Sequence, residues 1–135
     1  MPSYSMGRAA RLLGVSADTV RRWADSGRLP TRRDGHGKRL VEGTDLAAFA
    51  VALAADGTDG AGGGEEEPRT SVRNAFPGIV TAVTLGDVAA QVEIQSGPHR
   101  LVSLLTREAV EDLGLAVGVE AVARVKATNV HVDRA

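Results

Sequence analysis

The chain has 135 residues, a formal charge of −1 and no cysteine, which excludes disulfides, thiolate metal sites and cysteine nucleophiles. Aromatic residues make up only 3%, so any core rests on Leu, Val, Ile and Ala and is small, and an oligomer interface is expected to complete the folding. No apolar stretch follows a basic start, and no run approaches membrane-spanning length, which predicts a cytoplasmic protein with no membrane partner.

The charge is unevenly spread. Residues 1–55 carry nine Arg and Lys against five Asp and Glu, residues 56–70 one against five, and residues 71–135 six against seven. A basic head, an acidic spacer and a near-neutral tail is the asymmetry of a protein whose head alone meets a polyanion.

In chain order, Ala9, Leu12 and Leu13 share one face of a short helix that Ser5 can cap. Gly14-Val15-Ser16 breaks it, and a second helix is predicted from Ala17 to about Ser26, ended by Gly27 with Pro30 beyond. Residues 31–41 read as a hairpin turning at Asp34-Gly35-His36-Gly37. Thr44 is expected to cap a third helix over residues 45–54. Residues 56–70, rich in Gly and acid, read as a flexible linker, and Gly62-Gly63-Gly64 lacks the strand and Gly-Lys-Ser/Thr of a phosphate-binding loop. Strands are then predicted at 79–85, 89–95, 100–105, 121–125 and 130–132. A brief helix at 107–113 interrupts them, capped by Thr106 and closed by Gly114.

The predicted architecture is α+β in two domains. A winged helix-turn-helix occupies 1–55, and a small five-stranded barrel of the oligonucleotide/oligosaccharide-binding type occupies 71–135. In the head, Gly14 supplies the left-handed turn, Val15 plugs the angle between helices and Ser16 caps the second helix. That helix offers Ala17, Asp18, Thr19, Arg21 and Arg22 to a major groove, while Arg32, Arg33, Lys38 and Arg39 of the hairpin face backbone phosphates. The expected partner is double-stranded DNA. In the tail, Ser71, Arg73, Ser103, Thr106 and Lys126 supply hydroxyls and cations suited to a small tetrahedral dianion. His36, His99 and His131 share no helix face, and no carboxylate pair or nucleophile–base spacing is present. Neither catalytic residues nor a metal site is therefore predicted, and an enzyme is the least favoured class.

The stretch Leu13-Gly-Val-Ser-x-x-Thr-Val-Arg-Arg-Trp23 resembles the winged helix-turn-helix of the MerR and excisionase group, without the long dimerisation helix of full MerR proteins. Residues 71–133 resemble the Mop, or TOBE, domain of molbindins and ModE-type regulators. The matching strings are Ser71-Val-Arg-Asn-x-x-x-Gly78-x-Val80, Thr106 with Leu113-Gly-Leu115-x-x-Gly118, and Val125-Lys-Ala-Thr-Asn-Val130. This resemblance implies a molybdate or tungstate ligand held between subunits by Ser71, Arg73, Thr106, Lys126 and the backbone N–H of Ala127. It also implies a homo-oligomer, a hexamer or, failing that, a dimer. Together the two resemblances imply a molybdate- or tungstate-responsive transcriptional regulator; the alternative is an oxyanion storage or buffering protein with an accessory DNA-binding head. A Gly-rich linker spans only about 5–6 Å times the square root of its length. Ligand control of DNA binding is therefore expected to act through assembly and avidity, with no rigid lever.

Overall fold

The computed structural model describes residues 2–55 and 71–134; the expected linker over 56–70 lies outside the described residues. The N-terminal part begins with a strand, β1 (Ser3–Ser5), too short to show any alternation in the sequence. Helix α1 (Met6–Leu13) follows. The Ser5 side chain accepts the Arg8 N–H, and Gly14, at φ 71°, closes the helix in the left-handed conformation that favours glycine. Helix α2 (Ala17–Asp25) is capped in the same way by Ser16, whose Oγ accepts the Thr19 N–H at 3.2 Å.

A hairpin of β2 (Arg32–Arg33) and β3 (Arg39–Glu42) comes next, and β1 joins it to give an antiparallel sheet in the order β1-β3-β2. Helix α3 (Gly43–Ala55) follows β3 without a loop. The expected cap at Thr44 is therefore corrected: the helix has already begun at Gly43, whose N–H donates to the Pro2 carbonyl at 2.8 Å. Its buried face is broad, comprising Leu46, Ala47, Phe49, Ala50 and Leu53. The helix packs on the C-terminal sheet as well as on its own unit, and a helix covered on two sides loses its polar stripe.

That second sheet runs β6-β5-β4-β7, every neighbour antiparallel. Its strands are β4 (Asn74–Leu85), β5 (Ala89–Ser96), β6 (His99–Thr106) and β7 (Glu120–Val125), with helix α4 (Arg107–Leu113) between β6 and β7. Strand β4 starts five residues before the expected position and runs through Pro77 and Gly78. Proline is tolerated because this half of β4 is flanked by β7 alone, so no second ladder needs its missing N–H. A Cβ at Gly78 would stand 2.2 Å from the Gln95 carbonyl oxygen, so only glycine fits where β5 crosses. The fifth strand expected at 130–132 is also corrected. A 3-10 turn, Ala127–Asn129, carries the chain off the sheet, and residues 130–134 join no ladder. The sheet has four strands, with an open cleft of about 510 Å³ lined by β6 and β7 and floored by Val92 and Ile94.

The two buried clusters divide at one peptide bond. Val80 packs with Ala90, Val92, Ile94 and Val110 inside the sheet, whereas Ile79, one residue earlier and on the opposite face, packs among the buried residues of the N-terminal part. No helix among the described residues is long and apolar enough to cross a membrane.

Candidate functional site

In the C-terminal sheet, Asn74 pairs with Val125, and its side-chain Nδ2 donates to the Val125 carbonyl at 3.2 Å. This last rung fixes the neighbouring chemistry. Directly beyond it along the two strands come Arg73 and Lys126, with Ser71 two residues before Arg73 and Ala127 opening the 3-10 turn. All four are exposed. Among the described residues, neither the Arg73 nor the Lys126 side chain makes an ion pair or hydrogen bond, while the Lys126 carbonyl accepts the Asn129 N–H at 2.8 Å. Two unneutralised cations, a hydroxyl and a turn's backbone at one strand end form a donor set suited to a small oxyanion.

Two predicted members lie elsewhere on the same chain. Thr106 pairs with Ala89 at one end of the separate β5–β6 ladder, and its Oγ accepts the Ala109 N–H at 3.0 Å as the cap of α4. Ser103 pairs with Val92 and lines the cleft. A residue the sequence reading passed over joins the cluster instead. Arg124, exposed and paired with Ala75, stands one rung inside the Asn74–Val125 pair and two residues before Lys126. Its signal was available: Arg124 is a cation two residues from Lys126 in the sequence. Among the described residues no group of three His, Cys, Asp or Glu could hold a metal ion.

In the N-terminal part, Ser16, Asp18, Arg21 and Arg22 of the second helix are exposed, with Ala17 and Thr19 half-buried. Arg21 leans on Asp18 at 3.1 Å and Arg22 on the Thr19 hydroxyl at 3.3 Å, contacts weak enough at the surface to exchange for phosphate. Within the hairpin the roles divide. Arg39 reaches Asp25 at 2.7 Å and ties the hairpin to the end of α2. Arg32 is bound to Glu42 and donates to the Ser3 hydroxyl at 2.8 Å. The Arg32 guanidinium, helped by Ser3, holds the Glu42 carboxyl below its usual range. Arg33 donates to the Gly37 carbonyl at 2.8 Å, and Lys38 is exposed at the turn. Asp34 orders that turn by accepting the His36 and Lys38 N–H groups. Arg28 lies over both Trp23 and Phe49, 5.8 and 5.7 Å from the ring centroids, which fixes the segment after α2.

The N-terminal and C-terminal parts also touch. The Tyr4 hydroxyl donates to the Gly118 carbonyl at 2.8 Å in a buried contact. Arg8 pairs with Glu120, both half-buried. The backbones of Gly43 and Gly118 abut so closely that a Cβ at Gly43 would lie 2.5 Å from the Gly118 oxygen. Burial raises the Tyr4 phenol above its ordinary value of 10.0, an effect the Glu120 backbone partly offsets.

Residues 4–50 match a helix-turn-helix domain model and residues 70–132 a TOBE domain model. The molybdenum-pterin-binding protein MopA of Rhodobacter capsulatus is 44% identical over 61 residues, 44% of this chain and 23% of that protein. The molybdenum transport protein ModE of Azotobacter vinelandii is 38% identical over 63 residues, 46% of this chain and 23% of that protein. Molybdenum-pterin-binding protein 3 of Clostridium pasteurianum is 36% identical over 63 residues, 46% of this chain but 93% of that protein. The chain thus spans about a quarter of the first two relatives and nearly all of the third.

Proposed function

Because this chain belongs to the TOBE-domain family and carries a helix-turn-helix domain at its other end, we propose that it is a DNA-binding regulator that responds to molybdate or tungstate. Residues 1–55 are its DNA-binding unit, 56–70 its linker and 71–135 its oxyanion-binding unit. The observation that carries this reading is the Asn74–Val125 rung, which gathers Ser71, Arg73, Lys126 and Ala127 at one strand end. Thr106 and Ser103 lie apart from them on the same chain, and a site completed by Thr106 of a second copy accounts for both facts. That arrangement makes the protein a homo-oligomer, in keeping with its small cores. Arg21, Arg22, Arg33 and Lys38 contact DNA directly, while Ser16, Arg32 and Arg39 hold the helix and hairpin that present them. Ala17, Asp18 and Thr19 line the same reading face.

A storage role is the second reading, favoured by the Clostridium relative, nearly all of which corresponds to about half of this chain. The test is calorimetric titration with molybdate, tungstate and sulfate, beside Lys126→Ala, followed by DNA affinity with and without the anion. Sulfate-discriminating binding that disappears in the variant, together with a shifted DNA affinity, is expected. Binding with no change in DNA affinity would favour storage, and no binding would end the oxyanion reading.

A further inference from the structure

The contact between the two parts and the anion cluster lie at opposite ends of one ladder. Strands β4 and β7 pair over six rungs, from Ile79–Glu120 to Asn74–Val125. At the first rung both partners hold the N-terminal part: Ile79 is 1% exposed and packs in its core, and Glu120 binds Arg8. Beside that rung, Gly118 accepts the Tyr4 hydroxyl and abuts Gly43, and Val117 packs against the same core. At the last rung, the next residues on the two strands are Arg73 and Lys126. This stretch of β4 is held by β7 rung after rung over roughly 20 Å, at about 3.4 Å per residue. The contact uses β1, α1 and α3. Recognition helix α2 and the hairpin residues Arg33 and Lys38 take no part in its hydrogen bonds or ion pairs, so the docked form leaves the DNA-reading face open.

Resting on the regulator reading above, we propose that the helix-turn-helix unit is carried on the β4–β7 ladder as one rigid body, and that anion occupancy reaches the DNA-reading helix through this ladder. The lever is the paired strand, not residues 56–70. The spacing of the two DNA half-sites then follows from how the C-terminal sheets assemble. Anion binding that pulls Arg73 and Lys126 together shifts the ladder's end, and the Tyr4, Arg8 and Gly43 contacts convey that shift to α1 and the turn into α2.

Three full-length proteins test this: the wild type, Gly43→Ala, and a chain with six residues inserted within 56–70. Glu120→Gln serves as a second, milder break of the contact. Each is titrated with sodium molybdate by calorimetry, and with a duplex selected by the wild type from a random library, with and without molybdate. In the wild type molybdate is expected to change DNA affinity by about 5-fold or more. The insertion should keep that ratio, whereas Gly43→Ala should bring it to one while molybdate affinity stays within about twofold; Glu120→Gln should reduce it. Backbone amide relaxation gives an independent reading, with a single tumbling time for both parts in the wild type and two in Gly43→Ala. A ratio lost on insertion but kept in Gly43→Ala, or separate tumbling in the wild type, would overturn the proposal. Absence of molybdate binding in the wild type would instead strike the regulator reading itself.

Discussion

Replacing Tyr4 by Phe removes one oxygen and leaves the ring in the core, so its effect isolates the hydrogen bond to Gly118. That bond is 2.8 Å long, buried, and joins residues 114 apart in the chain. A typical hydrogen bond contributes about 1 kcal/mol net, and stranding a buried carbonyl costs about 1–3 kcal/mol. A loss of about 1.5 kcal/mol is therefore expected, a fall in Tm of roughly 5 °C for a chain of this size. The pH dependence carries a sign. Burial raises the Tyr4 pKa above 10.0, with the Glu120 charge adding to it and the Glu120 backbone and Arg8 opposing. A raised pKa means that this stabilisation is full below about 10 and is lost as pH climbs through the folded-state value. The gap between wild type and Tyr4→Phe in paired denaturant melts should thus be constant near neutrality and close above pH 10. Tyr4 is the chain's single tyrosine, so phenolate absorbance follows its titration directly. Equal stability of the two proteins at pH 7 would refute the buried hydrogen bond, and with it a firm contact between the two parts.

Arg73→Met should weaken molybdate binding by about 10- to 100-fold, the loss of one charge-assisted hydrogen bond, whereas Arg124→Met should weaken it by less than about 5-fold and chiefly at low salt; calorimetry at two ionic strengths separates them. Arg21→Ala and Arg22→Ala should each lower DNA affinity and reduce the slope of log affinity against log salt by about one if they meet phosphate, as fluorescence anisotropy over a salt series will show. Ser16→Ala removes the cap of α2 and should destabilise the protein by about 1 kcal/mol in urea melts while leaving molybdate affinity unchanged.

The parts that could be read from sequence are those whose cause is local. Ser5, Ser16 and Thr106 cap helices because a side-chain oxygen three residues before a free N–H is a local arrangement, and each does so here. The nearness of Ser71 and Arg73 to Lys126 and Ala127 was suggested for a different reason: the two strings resemble a known family, and the structure joins them through one rung between residues 51 apart. Strand β1 was hidden because three residues show no period. The first half of β4 was hidden because Pro77 and Gly78 signal a break in any sequence, and only the one-sided pairing with β7 shows why they are tolerated. The contact between the two parts left no trace. It rests on the Tyr4–Gly118 hydrogen bond, the Arg8–Glu120 pair, the burial of Ile79 and the abutting Gly43 and Gly118, and no periodicity marks which residues meet across it. Ile79-Val80 reads as an ordinary apolar pair, and only the fold shows its members serving different cores.

The modest size of that contact bounds what it can transmit. Coupling between two sites cannot exceed the free energy that distinguishes the docked from the undocked arrangement. One buried hydrogen bond contributes about 1 kcal/mol and one half-exposed ion pair at most about 1 kcal/mol. Full burial of a side chain such as Ile79 adds about 1.5–3 kcal/mol. These three terms sum to about 2.5–5 kcal/mol, before the packing of Val117 and α3 is added and any loss on ordering the two parts is taken off. Coupling of about 1–3 kcal/mol lies within these three terms, and a switch of about 10⁴-fold, near 5.5 kcal/mol, would need more than they supply. Through this contact alone, molybdate should therefore grade DNA occupancy rather than turn it on or off. Linkage is reciprocal, so DNA must shift molybdate affinity by the same factor, and titrating the anion against DNA-bound protein measures that factor from the other side.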